Sequence, residues 1–183
     1  MNRPAVILDR DGTLIEEVGH LGDPEGVVVL PGVPEAVRRL AGAGFVLAVA
    51  SNQAGVARGL FTEEDIRAVN ARTAELLDAG GSPSIAGWYW CPHHPDFTGP
   101  CDCRKPQPGM LKRAAEELDL DLGRSWMVGD HPVDAGAARA AGVRPIVVRT
   151  GHGLLPGADH DPGPDVLRAD DLAAAADLIL SSP

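Results

Sequence analysis

Basic residues are scarce in this 183-residue chain. Lys and Arg number 16 against 26 Asp and Glu, a formal net charge of −10. A general nucleic-acid binder or a protein held at an anionic membrane would show a basic face, so neither partner is expected. The sequence has no run of 18 or more apolar residues, and no transmembrane helix is expected. The amino terminus lacks a basic segment leading into a long apolar run, and Asp9 and Arg10 would interrupt any signal core. A cytoplasmic location is expected. There is no coiled-coil pattern, which leaves a monomer as the default. Cysteine is limited to three residues, all between positions 91 and 103. An odd number so confined argues against a disulfide framework and for a metal.

What is present reads as globular. Hydrophobic residues make up 44% and charged residues 23%, and the length suits one domain spanning 1–183. Strand and helix patterns alternate. Strands are expected at 4–8, 27–30, 45–50, 86–90, 126–128 and 145–149. Helices are expected at 33–42, from the Thr62 cap to about 78, from Pro108 at the first helical position to about 118, at 133–141 and at about 170–180. The second helix should stop at Gly80-Gly81-Ser82-Pro83, and a Gly/Pro/Asp-rich loop spans 151–164. This alternation predicts an α/β fold, a mostly parallel central sheet with helices on both faces.

Asp9-Arg10-Asp11-Gly12-Thr13 directly follows the apolar run Ala5-Val6-Ile7-Leu8. Two carboxylates thus stand where a buried strand ends, the edge at which open α/β sheets place ligands. They can hold a hard divalent cation, or one can attack while the other handles a proton. The competing reading is a solvated Asp-Gly turn. Ser51, and then Asp130 in Gly129-Asp130-His131-Pro132-Val133-Asp134, also stand at strand ends, and Arg104-Lys105 follows the cysteines. One site on one edge of the sheet would collect them all.

Cys91-Pro-His93-His94-Pro and Cys101-Asp-Cys103 form a second constellation, with seven residues (94–100) between His93 and Cys101. Three thiolates and one imidazole complete a tetrahedral Zn²⁺ site with no open position, the mark of a structural metal. The loop has little apolar content, so the metal would supply its folding energy and fix Arg104 and Lys105. His94 is read as a loop residue. Trp88, Tyr89 and Trp90 are read as strand side chains that pack, and His152 as part of a solvated loop.

The four strand-end motifs, in this order, resemble those of the haloacid-dehalogenase-like (HAD) phosphotransferases, with a three-layer Rossmann-like fold. The resemblance implies that Asp9 is the nucleophile and Asp11 the general acid/base. It also implies that Ser51 and Lys105 contact the phosphoryl group, and that Mg²⁺ is held by the Asp9 side chain, the Asp11 carbonyl and Asp130. Asp134 would act behind these. Ser51-Asn-Gln-Ala-Gly-Val-Ala-Arg-Gly59, Cys91-Pro-His-His-Pro95 and Arg104-Lys-Pro-Gln-Pro-Gly-Met110 further resemble the D-glycero-D-manno-heptose 1,7-bisphosphate 7-phosphatase family. From that likeness, a phosphorylated-sugar substrate would contact Asp9, Arg10, Asp11, Glu17, Val18, Gly19, His20, Ser51, Asn52, Gln53, Ala54, Arg104, Lys105 and His131. Arg104 would meet the phosphate retained at C1, with Arg58 a further anion contact. His20 stands where relatives commonly carry Tyr, and His131 where they often carry Lys or Arg. The 39 residues between Asp11 and Ser51 leave no room for a separate cap domain, and neither does the segment before Lys105. Two other readings stay open: a histidinol-phosphate phosphatase and a catalytically silent sugar-phosphate-binding protein.

Overall fold

The computed structural model describes residues 2–78, 85–154, 163–164 and 166–182. Six strands form one sheet: β1 (Ala5–Leu8), β2 (Val46–Asn52), β3 (Gly87–Cys91), β4 (Trp126–Gly129), β5 (Arg144–Val148) and β6 (Leu167–Ala169). They run in the order β3-β2-β1-β4-β5-β6, and every pairing is parallel. Parallel strands need crossovers, and these carry α1 (Val33–Gly42), α2 (Glu63–Leu77), α3 (Pro95–Thr98), α4 (Gly109–Leu118) and α5 (Pro132–Ala141), while α6 (Leu172–Ser181) follows the last strand.

Both faces of the sheet are buried, which explains why β1 reads as an unbroken apolar run rather than an alternating one. Val6 and Leu8 of β1, Leu47 and Val49 of β2, and Trp126 and Val128 of β4 join one core with α1, α6 and part of α2. Ala5 and Ile7, Ala48 and Ala50, and Met127 point the other way, into a core with Met110, Leu111 and Ala114 of α4 and Ala137 and Ala138 of α5. The period-2 direction of strand side chains divides the two layers. α2 begins with the expected capping box: Thr62 accepts from the Asp65 N–H, and Asp65 accepts from the Thr62 N–H. Such a cap contributes about 1 kcal/mol.

Three local expectations differ. Residues 27–30 do not join the sheet. Instead Val29 makes one antiparallel bridge to Ile15, and Leu30 and Glu16 bond across to Leu14 and Val28. Pro24–Gly26 form only a short 3-10 turn, and Val28 is half exposed, so this β-branched run folds back on the loop after β1. Pro108 sits at the cap of α4 rather than inside its first turn. β6 and α3 went unforeseen because three and four residues are too short for a period to register. The expected stop at Gly80–Pro83 lies outside the described residues.

No cap is inserted between Asp11 and Ser51, where the only helices are the 3-10 turn and α1. Among the described residues no helix is long and apolar enough to cross a membrane.

Candidate active site

The carboxyl ends of β1, β2 and β4 and the loop after β3 border one cleft of about 450 Å³. Asp9 and Asp11 enter it from β1, Ser51 through Ala54 from β2, Arg104 and Lys105 from the loop after β3, and Asp130 and His131 from β4. Glu17, Gly19 and His20 reach it from the loop after β1. Of the residues named from the sequence as substrate or anion contacts, Arg10, Val18 and Arg58 do not line it, and Arg58 stacks over the Phe97 ring instead. Val18 is 57% exposed, and the Arg10 side chain is buried behind the cleft wall.

Lys105 is the electrostatic centre. Its Nζ lies 3.0 Å from Asp9 Oδ1 and 2.6 Å from Asp134 Oδ1, and it donates to the Ala50 carbonyl at 2.7 Å. Burial disfavours its charged form, but the Asp134 and Asp9 carboxylates outweigh burial and hold the ammonium above its usual range. One lysine does not balance the carboxylates around it. Oxygens of Asp9, Asp130 and Asp134 lie within 4.8 Å of one another, all buried. Burial pushes Asp9 up to about 7, against the pull of Lys105. Burial, followed by the Asp9 charge, pushes Asp130 up to about 6. Burial also raises Asp134.

Such a surplus of buried negative oxygen calls for a hard cation, and the donor set fits Mg²⁺. Asp134 is already committed: one oxygen pairs with Lys105, and the other accepts the His131 N–H at 3.0 Å in a capping box on α5. Asp9 and Asp130 are therefore the carboxylates left for the ion.

Asp130 is set by close packing. Gly12 and Gly151 both have positive φ (77° and 58°). A Cβ on either would sit 2.3 or 2.2 Å from Asp130 Oδ2. The turn after β1 and the loop after β5 thus clamp that carboxylate between bare backbone. His152 completes the clamp. Its N–H donates to Asp130 Oδ2 at 2.7 Å, and its Nδ1 lies 3.2 Å from the same oxygen. The ring lines the cleft edge-on to His131, with centroids 5.7 Å apart. His152 was expected in a solvated loop. Nothing in that polar loop is periodic, and the signal available was its place just beyond a strand end. Asp159, His160 and Asp161 of the same loop lie outside the described residues.

Asp11 is not part of that three-carboxylate group and takes donors from Arg10, Gln53 (2.7 Å) and Ser51 (3.4 Å). The Asn52 amide docks the loop after β3, accepting from the Lys105 N–H at 3.0 Å and donating to its carbonyl at 3.1 Å. The Lys105–Pro106 peptide bond in that loop is cis.

The four expected zinc donors converge. Cys91 Sγ lies 3.6 Å from Cys101 Sγ and 3.0 Å from Cys103 Sγ, with Cys101 and Cys103 3.6 Å apart. His93 Nδ1 is 3.6 and 3.3 Å from the sulfurs of Cys91 and Cys103. Donors about 2.3 Å from a tetrahedral zinc would be about 3.8 Å apart, so two of the three sulfur pairs match the ion closely, and Cys91 and Cys103 would have to part by roughly 0.8 Å to hold it. All three cysteines are free of disulfides. His94 caps α3 instead, accepting from the Asp96 N–H. Arg104 is tied to this loop by its Nη1, which donates to the His93 carbonyl at 3.2 Å. Tyr89 packs into one core, Trp88 packs against the other, and the Trp90 indole donates to Glu63.

Comparison with known proteins adds independent findings. A HAD-hydrolase-like family model matches residues 102–175. The chain is 44% identical to the D-glycero-D-manno-heptose-1,7-bisphosphate 7-phosphatase of Thermosynechococcus vestitus, over 98% of this chain and 96% of that protein. It is 40% identical to the D-glycero-beta-D-manno-heptose-1,7-bisphosphate 7-phosphatase of Pseudomonas aeruginosa, over 98% and 99%. Among solved structures it resembles the D,D-heptose 1,7-bisphosphate phosphatase of B. bronchiseptica complexed with magnesium and phosphate. That match has a TM-score of 0.87 and 36% identity, over 97% and 98% of the two chains.

Proposed function

The chain belongs to the HAD-like D-glycero-D-manno-heptose-1,7-bisphosphate 7-phosphatases, which are phosphoric monoester hydrolases, and from that membership we propose that it removes the C7 phosphate of a heptose 1,7-bisphosphate. The observation that carries the reading is the buried Asp9–Lys105 pair, 3.0 Å apart, on the same cleft as Asp11 and Asp130. An inert sugar-phosphate binder has no use for a buried nucleophile so equipped.

In the proposed cycle, Asp9 forms a bond to phosphorus as the ester P–O bond breaks. The departing alkoxide takes its proton from Asp11, and Lys105 offsets charge on the phosphoryl oxygens. Asp11 then accepts a proton from water, which attacks the aspartyl-phosphate and releases inorganic phosphate, regenerating Asp9. Ser51 is assigned a hydrogen bond to the phosphoryl group. Mg²⁺ held by Asp9, Asp130 and the Asp11 carbonyl would neutralise phosphoryl charge and orient the group for in-line attack. The choice of Mg²⁺ as the ion is supported by the B. bronchiseptica relative, whose structure is complexed with magnesium and phosphate. Zn²⁺ in the Cys91/His93/Cys101/Cys103 cage would hold Arg104 toward the retained phosphate and take no part in bond making. The same reading makes the protein a cytoplasmic monomer acting on a phosphorylated sugar.

With no cap over the cleft among the described residues, specificity falls to the local loops at 17–20, 51–54 and 104–105. The test is turnover with Mg²⁺ of both anomers of the heptose bisphosphate against histidinol phosphate, with Asp9→Asn as the blank. Preference for a bisphosphate anomer is the expected result. Preference for histidinol phosphate would overturn the substrate, and turnover by Asp9→Asn would overturn the mechanism.

A further inference from the structure

Arg10 is 1% exposed, one of the largest fully buried side chains of an acidic chain, and it points away from the cleft that its two neighbours enter. Its Nε lies 3.1 and 3.3 Å from the two Asp11 carboxylate oxygens, and its Nη2 lies 3.1 and 3.0 Å from the same pair. The third nitrogen, Nη1, donates at 3.0 Å to Oδ1 of Asn70, a buried residue on α2, 60 positions along the chain. All three guanidinium nitrogens are therefore engaged. Gln53 reaches Asp11 from β2, so the carboxylate is held from two sides.

Burying a guanidinium costs several kcal/mol of hydration, and a hydrophobic side chain would fill the same space without that cost. A planar, two-point grip confers direction, which a packed methylene cannot. An ungripped aspartate at a cleft mouth would spread over its side-chain rotamers, and proton transfer demands a donor within hydrogen-bond reach of one oxygen.

We propose that Arg10, anchored by Asn70, is a positioning residue that aims the Asp11 carboxyl at the leaving oxygen. This role rests on the reading of Asp11 as the acid. It also explains why a residue between the two aspartates never meets the cleft.

The consequence is selective. A p-nitrophenyl ester expels a stable phenolate and needs little help from an acid, whereas a primary alkyl phosphate expels an alkoxide and needs all of it. Because kcat/KM covers the steps through loss of the alcohol or phenol, the later hydrolysis of the aspartyl-phosphate does not obscure the comparison. General acid catalysis contributes about 10²–10⁴-fold, so misdirecting Asp11 should remove on the order of 30- to 100-fold of it. Arg10→Lys, and independently Asn70→Ala, should lower kcat/KM on a primary alkyl phosphate by that factor, and on p-nitrophenyl phosphate by about threefold or less. If Arg10→Lys fails to fold, Asn70→Ala carries the test, since it removes only the anchor. Equal losses on both esters, or no loss on either, in a folded variant would overturn the positioning role. A wild-type protein inert toward the heptose bisphosphates as well as both esters would instead refute the phosphatase reading and this role with it.

Discussion

Replacing Lys105 by Met tests the electrostatic account of the site more sharply than any other change. The substitution keeps the stem volume and removes the charge. Asp9 and Asp134 then lose a cation at 3.0 and 2.6 Å, and the Ala50 carbonyl loses its donor. Stranding one side of a buried ion pair costs about 3–5 kcal/mol. For a chain of this size each kcal/mol lowers Tm by about 2–4 °C, so the metal-free variant should melt roughly 6–20 °C below wild type at neutral pH. The loss should depend on pH, with a definite sign. Burial already raises Asp9 from 3.8 to about 7, so the folded state keeps a proton that the unfolded chain sheds near 3.8. Between those values the folded state binds more protons, and stability falls as pH rises. Without Lys105 the carboxyls would hold their protons to still higher pH, and the deficit should shrink at pH 5 and widen at pH 8. Thermal melts of metal-free wild type and variant across that range are the assay. A loss that stays the same from pH 5 to pH 8, or an undiminished Tm at pH 8, would refute the claim that this lysine neutralises a buried carboxylate cluster.

The Mg²⁺ fit makes a related prediction. The ion must displace the protons that burial keeps on Asp9 (to about 7) and Asp130 (to about 6), so the rise in wild-type Tm on adding Mg²⁺ should be small at pH 5 and grow through pH 7.5. A Tm gain independent of pH would place the ion elsewhere. Gly151→Ala would drive a Cβ to 2.2 Å from Asp130 Oδ2 at a φ of 58°, so Mg²⁺ affinity should fall about 10- to 100-fold by titration; unchanged affinity would show that the clamp is loose. Cys101→Ser should lower the zinc content of the purified protein, measured by elemental analysis. Because Arg104 hangs from the His93 carbonyl, KM for a bisphosphate should then rise more than kcat falls, and native protein purified without zinc would overturn the cage.

What was legible in the chain was whatever local pattern or chemistry announces. The apolar run of β1 ends at Asp9, the capping box marks Thr62, and Cys91, His93, Cys101 and Cys103 are close enough in sequence to suggest a cage. Each signal lies within about a dozen residues. The contacts that give the site its character span far more: Arg10 to Asn70, Lys105 to Asp9, His152 to Asp130. Asp9, Lys105 and Asp130 stand out by the motifs they resemble, whereas Asn70 and His152 are ordinary residues until the fold brings them to their partners. The 27–30 run shows the converse failure. β-Branched composition describes fitness for a pleated surface but does not name the neighbour, and here the neighbour is the loop after β1.

The scarcity of positive charge acquires a physical meaning in the fold. An acidic protein that binds phosphate must concentrate cations where they count, and this one does so by burial rather than by number. Lys105 and Arg10 are both nearly inaccessible, and each faces aspartates. Away from water, one charge acts more strongly than several on a screened surface, provided its partners are fixed. That condition explains the surrounding construction. Asp134 is pinned by the first turn of α5, Asp130 by two glycines, Arg10 by Asn70, and the Lys105 backbone by Asn52. The two buried cations then divide the site: Lys105 holds Asp9 on the side where a phosphoryl group would sit, and Arg10 holds Asp11 from the side that never meets it.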